Sequence, residues 1–137
     1  MTAYIETSAA AKLLVEEAES AAISEHLDQL THTRMPLVSS MLLETELRRL
    51  AVREELAQTA VSDLLDRVDL VEPNRSLFYE AGILRGQHVR SLDVLHVATA
   101  LRIEAEQFIA YDIRQCQAAV SLGLRVISPS QQGELHN

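Results

Sequence analysis

The stretch of residues 90–112, R-S-L-D-V-L-H-V-A-T-A-L-R-I-E-A-E-Q-F-I-A-Y-D, limits the possible folds more than any other part of the chain. Between residues 92 and 103 apolar side chains fall on almost all sides of a helical wheel, which predicts a helix buried on most of its surface. Asp93 lies in the first turn of this helix, and a run of β character at residues 108–111 leads directly to Asp112. In an α/β fold both carboxylates can lie near the carboxyl edge of the sheet, where such folds place their sites.

Each of these aspartates also has an ordinary structural explanation. A carboxylate in the first turn of a helix gains from the helix dipole, which accounts for Asp93. Aspartate is among the preferred N-cap residues, which accounts for Asp112 at the start of the helix that follows it. The choice between a structural and a functional role therefore depends on the other acidic residues of the chain.

Short strands alternate with helices along the whole sequence. The apolar runs typical of strands lie at residues 3–5, 36–38, 70–71, 108–111 and 125–127. Helical stretches lie between or after them, at residues 9–15, 20–30, 41–54, 56–68, 77–84, 92–103 and 113–122. This alternation predicts the α/β class, as a three-layer α/β/α domain with a parallel sheet of roughly four to five strands. We expect residues 1–137 to form a single domain, with a loose polar tail from about residue 130 to residue 137.

Three features of the sequence indicate the cellular compartment of the protein: its cysteine content, its apolar runs and its first residues. Cys116 is the single cysteine, so an internal disulfide is impossible, which fits a reducing compartment. The first residues, M-T-A-Y-I-E-T-S, lack the basic and apolar regions of a signal peptide. No apolar run approaches the ~18 residues of a membrane span. We therefore expect a soluble cytoplasmic protein that does not associate with a membrane.

The net charge restricts the possible partners. The chain carries a formal charge of −8 at pH 7. An acidic chain binds nucleic acid poorly without further help, because the phosphate backbone attracts cations. A nucleic-acid substrate would therefore require a metal ion and a local arginine patch, whereas a basic protein partner would suit the overall charge.

The helix predicted at residues 41–54 carries a glutamate on its apolar side. On a helical wheel Glu46 falls inside the arc formed by the leucines of this helix, whereas Glu44 falls outside that arc. An ionised carboxylate on a buried face is costly unless it is paired or bound to a metal. Glu46 is therefore expected to pair with a core arginine or to take part in a metal site, and Glu44 is expected to be a solvated surface charge.

A further acidic residue, Glu6, ends the first predicted strand. A parallel sheet can bring Glu6, Asp93 and Asp112 to one edge, and Glu46 can point in from a neighbouring helix. Carboxylates packed closely together repel and raise one another's pKa values, and divalent cations relieve this repulsion. A cluster of oxygen ligands suits Mg²⁺ or Mn²⁺, and such a site supports phosphodiester cleavage.

Four segments carry these acids in sequence order. They are I-E-T-S-A-A-A-K-L-L at 5–14, S-S-M-L-L-E-T-E-L-R-R at 39–49, S-L-D-V-L-H-V-A-T-A-L at 91–101 and F-I-A-Y-D-I-R at 108–114. The segments resemble the four acidic motifs of PIN-domain ribonucleases, most closely those of the VapC toxins of VapBC toxin–antitoxin pairs. The resemblance spans essentially the whole chain, and its third motif is the most specific.

The resemblance implies a Mg²⁺-dependent endoribonuclease, with four metal-binding and catalytic positions: Glu6, Glu46, Asp93 and Asp112. It also implies that Ser8 supports the metal site. The chain departs from the family at Glu6, where the family usually has aspartate, and the added methylene moves the carboxylate by about one bond length. The alternative function is therefore a non-catalytic PIN-like binding module whose metal site is impaired at Glu6.

Further expectations concern the residues that bind RNA and the partners of the chain. The candidates for binding RNA phosphates are four arginines: Arg48, Arg49, Arg90 and Arg114. His96 lies one turn from Asp93 and is expected to be a packed core residue rather than a substrate contact, because its helix is otherwise apolar. The resemblance further implies an RNA substrate, a VapB-like antitoxin that covers the active site, and a homodimer.

Overall fold

The computed structural model describes residues 1–86, 89–130 and 133–136 of the chain. Helices and strands alternate along it in the following order: β1 (Ala3–Ile5), α1 (Thr7–Ala11), α2 (Ser20–His32), β2 (Leu37–Ser40), α3 (Leu42–Arg53), α4 (Gln58–Leu65), β3 (Asp69–Val71), α5 (Arg75–Gly82), α6 (Ser91–Arg102), β4 (Gln107–Ile109), α7 (Ile113–Ser121), β5 (Val126–Ser130) and β6 (Gly133–His136). The first helix ends at Ala11, four residues before the predicted end at residue 15. The other predicted helices lie where the sequence pattern placed them, with boundaries that differ by a few residues.

The strands form one sheet in the order β3-β2-β1-β4-β5-β6. The first five of these strands in the sheet are parallel to their neighbours, which confirms the predicted α/β class and parallel sheet. From β1 the chain moves outward through β2 to β3 and then crosses back to β4 on the other side of β1. The switch point of the sheet therefore lies between β1 and β4, and parallel sheets place their sites at the carboxyl end of such a point.

The end of the chain differs from the prediction of a loose tail. Strand β6 pairs antiparallel with β5, and the register places Ser130 opposite Gly133 and Pro129 opposite Glu134. The last parallel strand was predicted at residues 125–127, but β5 continues to Ser130 through Pro129. A proline lacks only the backbone donor and keeps its carbonyl, which here accepts a hydrogen bond from the Tyr111 hydroxyl. Backbone pairing also needs no apolar side chains, so the polar composition of the tail did not predict it. The remaining tail residues, 131, 132 and 137, lie outside the described residues.

The two faces of the sheet are covered by different helices. Side chains alternate along β1, so that Ala3 and Ile5 face one side and Tyr4 faces the other. The first face packs against α1, α2, α3 and α4, and the second packs against α6 and α7. This arrangement confirms the three-layer architecture predicted from the alternation of strands and helices.

Helix α6 is the most deeply buried helix on the second face. Six consecutive residues of α6, from Leu95 to Ala100, are buried, as the apolar helical wheel predicted. The sheet covers one side of α6, and Leu77 and Ala81 of α5 pack against Leu95. Because α6 returns towards β4 across a parallel sheet, its first turn lies at the carboxyl edge. Among the residues that the structure describes, no helix is long and apolar enough to cross a membrane.

Candidate functional site

The carboxylate of Glu6 is fixed at the end of β1, in the middle of the sheet. Glu6 is the N-cap of α1 and has extended backbone angles, with φ −100° and ψ 163°. Its Oε1 atom accepts hydrogen bonds from the Ser8 amide, at 2.9 Å, and from the Ser8 hydroxyl. Glu6 is 5% exposed, and this burial raises the pKa of its carboxyl to about 7, although the hydrogen bonds from Ser8 lower it. The first acidic residue is therefore a buried helix cap held by Ser8.

Ser8 connects Glu6 to the loop after β4. While the Ser8 hydroxyl donates to Glu6, its oxygen accepts hydrogen bonds from the backbone amides of Tyr111, at 2.8 Å, and Asp112, at 3.1 Å. These bonds span the switch point between β1 and β4. Ser8 thus lies at the centre of the predicted site, where the sequence resemblance gave it a supporting role.

Asp93 and Asp112 are brought together by helices α6 and α7. Asp112 is the N-cap of α7, and its Oδ1 atom accepts a hydrogen bond of 3.0 Å from the Gln115 amide. Gln115 is fully buried, and its side-chain amide donates to the backbone carbonyl of Asp93 at 3.1 Å. Partial burial and the nearby negative charge of Asp112 raise the pKa of the Asp93 carboxyl. Gln115 had no distinguishing pattern in the sequence, because its role depends on a contact between two helices.

An open cavity of about 530 Å³ lies beside these two aspartates. The residues that line it are mostly polar or charged: Arg90, Asp93, Tyr111, Asp112, Ile113 and Arg114. Its volume is in the range of small-ligand sites. Two carboxylates and two guanidinium groups therefore border one solvent-accessible space, which suits a ligand that carries both a cation and an anionic group.

Glu46 lies near this cavity and has a different set of partners from those expected. Its Oε1 atom accepts hydrogen bonds from the Thr7 hydroxyl and from His96 Nε2, each at 2.7 Å. Burial is the largest single influence on the Glu46 carboxyl and raises its pKa, but His96 and the Thr7 hydroxyl together outweigh burial and hold the pKa below its ordinary value. A core arginine, one of the two alternatives predicted for Glu46, is not among these partners, and a histidine donates instead. Glu44, expected to be a solvated charge, is partly exposed and pairs with Arg48 at 2.9 Å.

The four predicted acids thus lie around one edge of the sheet at different depths. Asp93 and Asp112 line the cavity, Glu6 is joined to Asp112 through Ser8, and the charge of Glu46 acts on both Glu6 and Asp93. Within the described part of the chain, no three Asp, Glu, His or Cys side chains come close enough to hold a metal ion together. Two carboxylates on an open polar cavity still fit Mg²⁺, which is commonly held by one or two carboxylates, with waters and substrate phosphates as the other ligands.

The predicted arginines separate into two pairs. Arg90 and Arg114 line the cavity. Arg48 instead bonds to Glu44, Gln58 and Ser62, with distances of 2.9, 3.1 and 3.2 Å, and so connects α3 with α4. Arg49 is exposed on α3, and neither Arg48 nor Arg49 is among the described residues that line the cavity.

Comparison with known proteins identifies the family. The PIN domain family model matches residues 3–121. Ribonuclease VapC46 of Mycobacterium tuberculosis is 38% identical over 130 residues, which cover 93% of this chain and 97% of that protein. Ribonuclease VapC35 of the same organism is 36% identical over 134 residues, with the same coverage of 93% and 97%.

Solved structures show the same fold at low sequence identity. Mycobacterium tuberculosis VapC20, described as a Sarcin-Ricin loop cleaving toxin, matches with a TM-score of 0.69 at 16% identity and covers 90% of this chain and 96% of its own. VapBC2 from Rickettsia felis, bound to a DNA fragment from their promoter, matches with a TM-score of 0.72 at 16% identity, with coverage of 86% and 93%. The chain therefore belongs to the PIN domain family, and its closer relatives place it among the VapC proteins of that family. The resemblance seen in the four acidic segments is confirmed.

The raised pKa of Glu6 predicts a change of stability with pH. Because folding raises this pKa from 4.5 to about 7, the folded chain binds the proton more tightly than the unfolded chain does. The free energy of unfolding of the parent should therefore fall as the pH rises from 4.5 towards 7. In Glu6→Gln, which has no carboxyl at this position, the free energy of unfolding should fall less over the same pH range. Urea unfolding of both proteins in chelator, at half-unit pH steps, measures the difference. Identical pH profiles for the two proteins would contradict a buried, proton-binding Glu6.

Proposed function

We propose that this chain is a Mg²⁺- or Mn²⁺-dependent endoribonuclease that acts as the toxin of a type II toxin–antitoxin pair. The observation that carries the proposal is that Asp93, Asp112, Arg90 and Arg114 line one open cavity, in a chain of the VapC group. The relatives named as ribonucleases support the activity and the RNA substrate, and VapC20, described as a Sarcin-Ricin loop cleaving toxin, supports the role as a toxin. The expected compartment is the cytoplasm.

Asp93 and Asp112 are the residues that would hold the metal ion in the cavity. Their carboxylates repel one another, since the charge of Asp112 raises the pKa of Asp93, and a cation between them would relieve this repulsion. A bound Mg²⁺ ion supplies a more acidic water and a positive charge for the phosphate oxygens. Glu46 contributes negative charge beside this pair, as does Glu6 in its ionised form, and one oxygen atom of each is held by hydrogen bonds.

The protein's own contribution to RNA binding comes from the arginines of the cavity. Arg90 precedes α6 and Arg114 lies in the first turn of α7, and both residues line the same cavity as the two aspartates. Arginine matches a phosphate with paired N–H donors, which orients the backbone of the RNA without reading its bases. This local positive charge offsets the net charge of −8, which would otherwise repel RNA.

The proposed partner is a VapB-like antitoxin that covers the cavity. The VapBC2 structure of Rickettsia felis, whose name gives both proteins of such a pair, supports this part of the proposal. An arginine or lysine of the antitoxin would be attracted to Asp93 and Asp112, where it would compete with a metal ion and with RNA. The inhibition is therefore expected to weaken at high salt.

A homodimer is the proposed assembly. Four large apolar side chains on α5, at its C-cap and on α6 are about half exposed or more: Phe78 at 50%, Tyr79 at 69%, Ile83 at 64% and Leu92 at 48%. Helices α5 and α6 pack against each other, and exposed apolar patches are typical of interaction surfaces. A second copy related by a two-fold axis would cover the same surface on both protomers.

Substitution of Asp93 by asparagine tests the nuclease directly. Asp93→Asn should reduce Mg²⁺-dependent cleavage of total cellular RNA by about 100-fold or more, because it removes one of the two charges that hold the ion. It should also reduce the rise in melting temperature that Mg²⁺ causes by mass action. Asp69→Asn, which changes an exposed aspartate at the start of β3, serves as the control and should cleave like the parent. Cleavage by Asp93→Asn at the parent rate would rule out this role.

A separate measurement decides between the nuclease and the non-catalytic module. The nuclease proposal predicts that the parent chain cleaves RNA with Mg²⁺ and not with chelator. Glu6→Asp should then raise the rate, because the shorter side chain restores the reach that is usual in the family. If the parent chain is inactive and Glu6→Asp is active, the chain is a binding module impaired at Glu6. Equal rates for the two proteins at matched Mg²⁺ would mean that the longer side chain is accommodated.

A further inference from the structure

A buried chain of hydrogen bonds connects β1 and α6 to Glu46. The Tyr4 hydroxyl lies 2.5 Å from His96 Nδ1, and His96 Nε2 lies 2.7 Å from Glu46 Oε1. Tyr4 is fully buried and His96 is 1% exposed, whereas the side chain of Glu46 is 26% exposed. The chain of bonds therefore begins inside the core and ends at a carboxylate that reaches solvent.

We propose that His96 is a positioning residue that holds the Glu46 carboxylate in place through Nε2, with Tyr4 fixing the orientation of the imidazole ring. This inference rests on the proposed nuclease function, because it assigns the carboxylate that His96 serves to that site. It assigns His96 no contact with RNA.

We infer the tautomer of His96 from its two partners. The ionised Glu46 carboxylate can only accept, which requires a proton on His96 Nε2, and the Tyr4 hydroxyl, which accepts a hydrogen bond of 3.2 Å from the Ser40 amide, has a proton to donate to His96 Nδ1. A ring that accepts at Nδ1 carries its proton on Nε2, and this proton faces Glu46 Oε1. The Tyr4 ring also stacks on Phe108, with centroids 5.3 Å apart, so the donor itself is held rigidly.

Two donors then hold one oxygen of Glu46. His96 Nε2 and the Thr7 hydroxyl each lie 2.7 Å from Oε1, and they approach from α6 and α1 respectively. A glutamate side chain has several rotatable bonds, and two fixed donors at one oxygen restrict them. Hydrogen bonds to the ionised form also favour it, and the lowered pKa of Glu46 agrees with this.

The position of His96 on α6 links this carboxylate to Asp93. Asp93 and His96 are one helical turn apart, so the helix that places Asp93 at the cavity also places the donor for Glu46. The charge of Glu46 acts on Asp93 and on Glu6, which indicates that the three carboxylates share one electrostatic environment. Removing the His96 donor should therefore release Glu46 without moving α6.

A packing role alone would give different consequences, and the chain offers a matched control. His26 of α2 is also buried, at 7% exposure, and its Nε2 lies 2.8 Å from Gln107 Oε1 at the start of β4. The start of β4 is the amino edge of the sheet, opposite the cavity. His26→Leu therefore removes a buried histidine at the other edge of the sheet.

The experiment compares His96→Gln, His96→Leu and His26→Leu with the parent. Glutamine can place an N–H donor close to the position of Nε2, whereas leucine has a similar volume and no donor. We expect His96→Leu to lower the Mg²⁺-dependent rate of RNA cleavage by about 10- to 100-fold, the range for losing a residue that orients a side chain of a metal site from outside it. His96→Gln should recover most of the rate, and His26→Leu should match the parent, all at temperatures where circular dichroism shows folded protein.

A double substitution tests whether His96 acts through Glu46. On a Glu46→Gln background, His96→Leu should cause no further loss, since the carboxylate that it orients has already gone. Additive losses, or a His96→Gln protein as inactive as His96→Leu, would overturn the inference. Should Asp93→Asn cleave like the parent, the proposed nuclease function has failed instead, and this result is distinguishable from a failure at His96.

A measurement without metal or RNA tests the same bonds. In chelator, ¹⁵N spectra of the imidazole ring should show His96 with its proton on Nε2, and Tyr4→Phe should shift the Nδ1 resonance because that nitrogen loses its donor. A neutral His96 ring that carries its proton on Nδ1 in the parent would contradict the proposed chain of donors. An Nδ1 resonance that is unchanged in Tyr4→Phe would do the same.

Discussion

The hydrogen bonds of the Ser8 hydroxyl hold the carboxyl edge of the sheet together. This one group donates to Glu6 at the end of β1 and accepts from the amides of Tyr111 and Asp112 after β4. The two strands flank the switch point, where a parallel sheet would otherwise open into a crevice. The position of Asp112 on the cavity, and through Gln115 that of Asp93, therefore depends on a contact between residues about a hundred positions apart in the sequence.

Much of the fold could be predicted because local patterns determine it. The apolar residues of α6 fall around almost its whole circumference, and the structure buries six consecutive residues of this helix, four of them apolar. The alternation of short strands and helices likewise led to a three-layer domain with a parallel sheet. The wheel of α3 predicted only the direction of the difference between its two glutamates: the side chain of Glu46 is 26% exposed and that of Glu44 is 41% exposed.

The partners of these residues could not be predicted, because they come from other elements. Nothing local to α3 indicates that His96, fifty positions later, is the donor for Glu46. The contact of Gln115 with Asp93 could not be predicted either, because it joins two helices. Arg48 likewise connects α3 with α4 by hydrogen bonds and does not line the cavity. Strand β6 was not predicted for a related reason: it pairs with β5 through backbone groups, which do not depend on the type of side chain.

The most direct test of the central claim, that the cavity beside Asp93 and Asp112 binds the metal, uses Mn²⁺ as a paramagnetic probe. Mn²⁺ added to ¹⁵N-labelled protein should broaden the amide resonances of Asp93, Tyr111 and Arg114 first. It should leave those of Leu37 and Asp69 sharp, because these residues begin β2 and β3 at the opposite edge. Asp93→Asn should weaken the effect. Broadening centred on the opposite edge, or spread evenly over the protein's acidic surface, would contradict the proposed site.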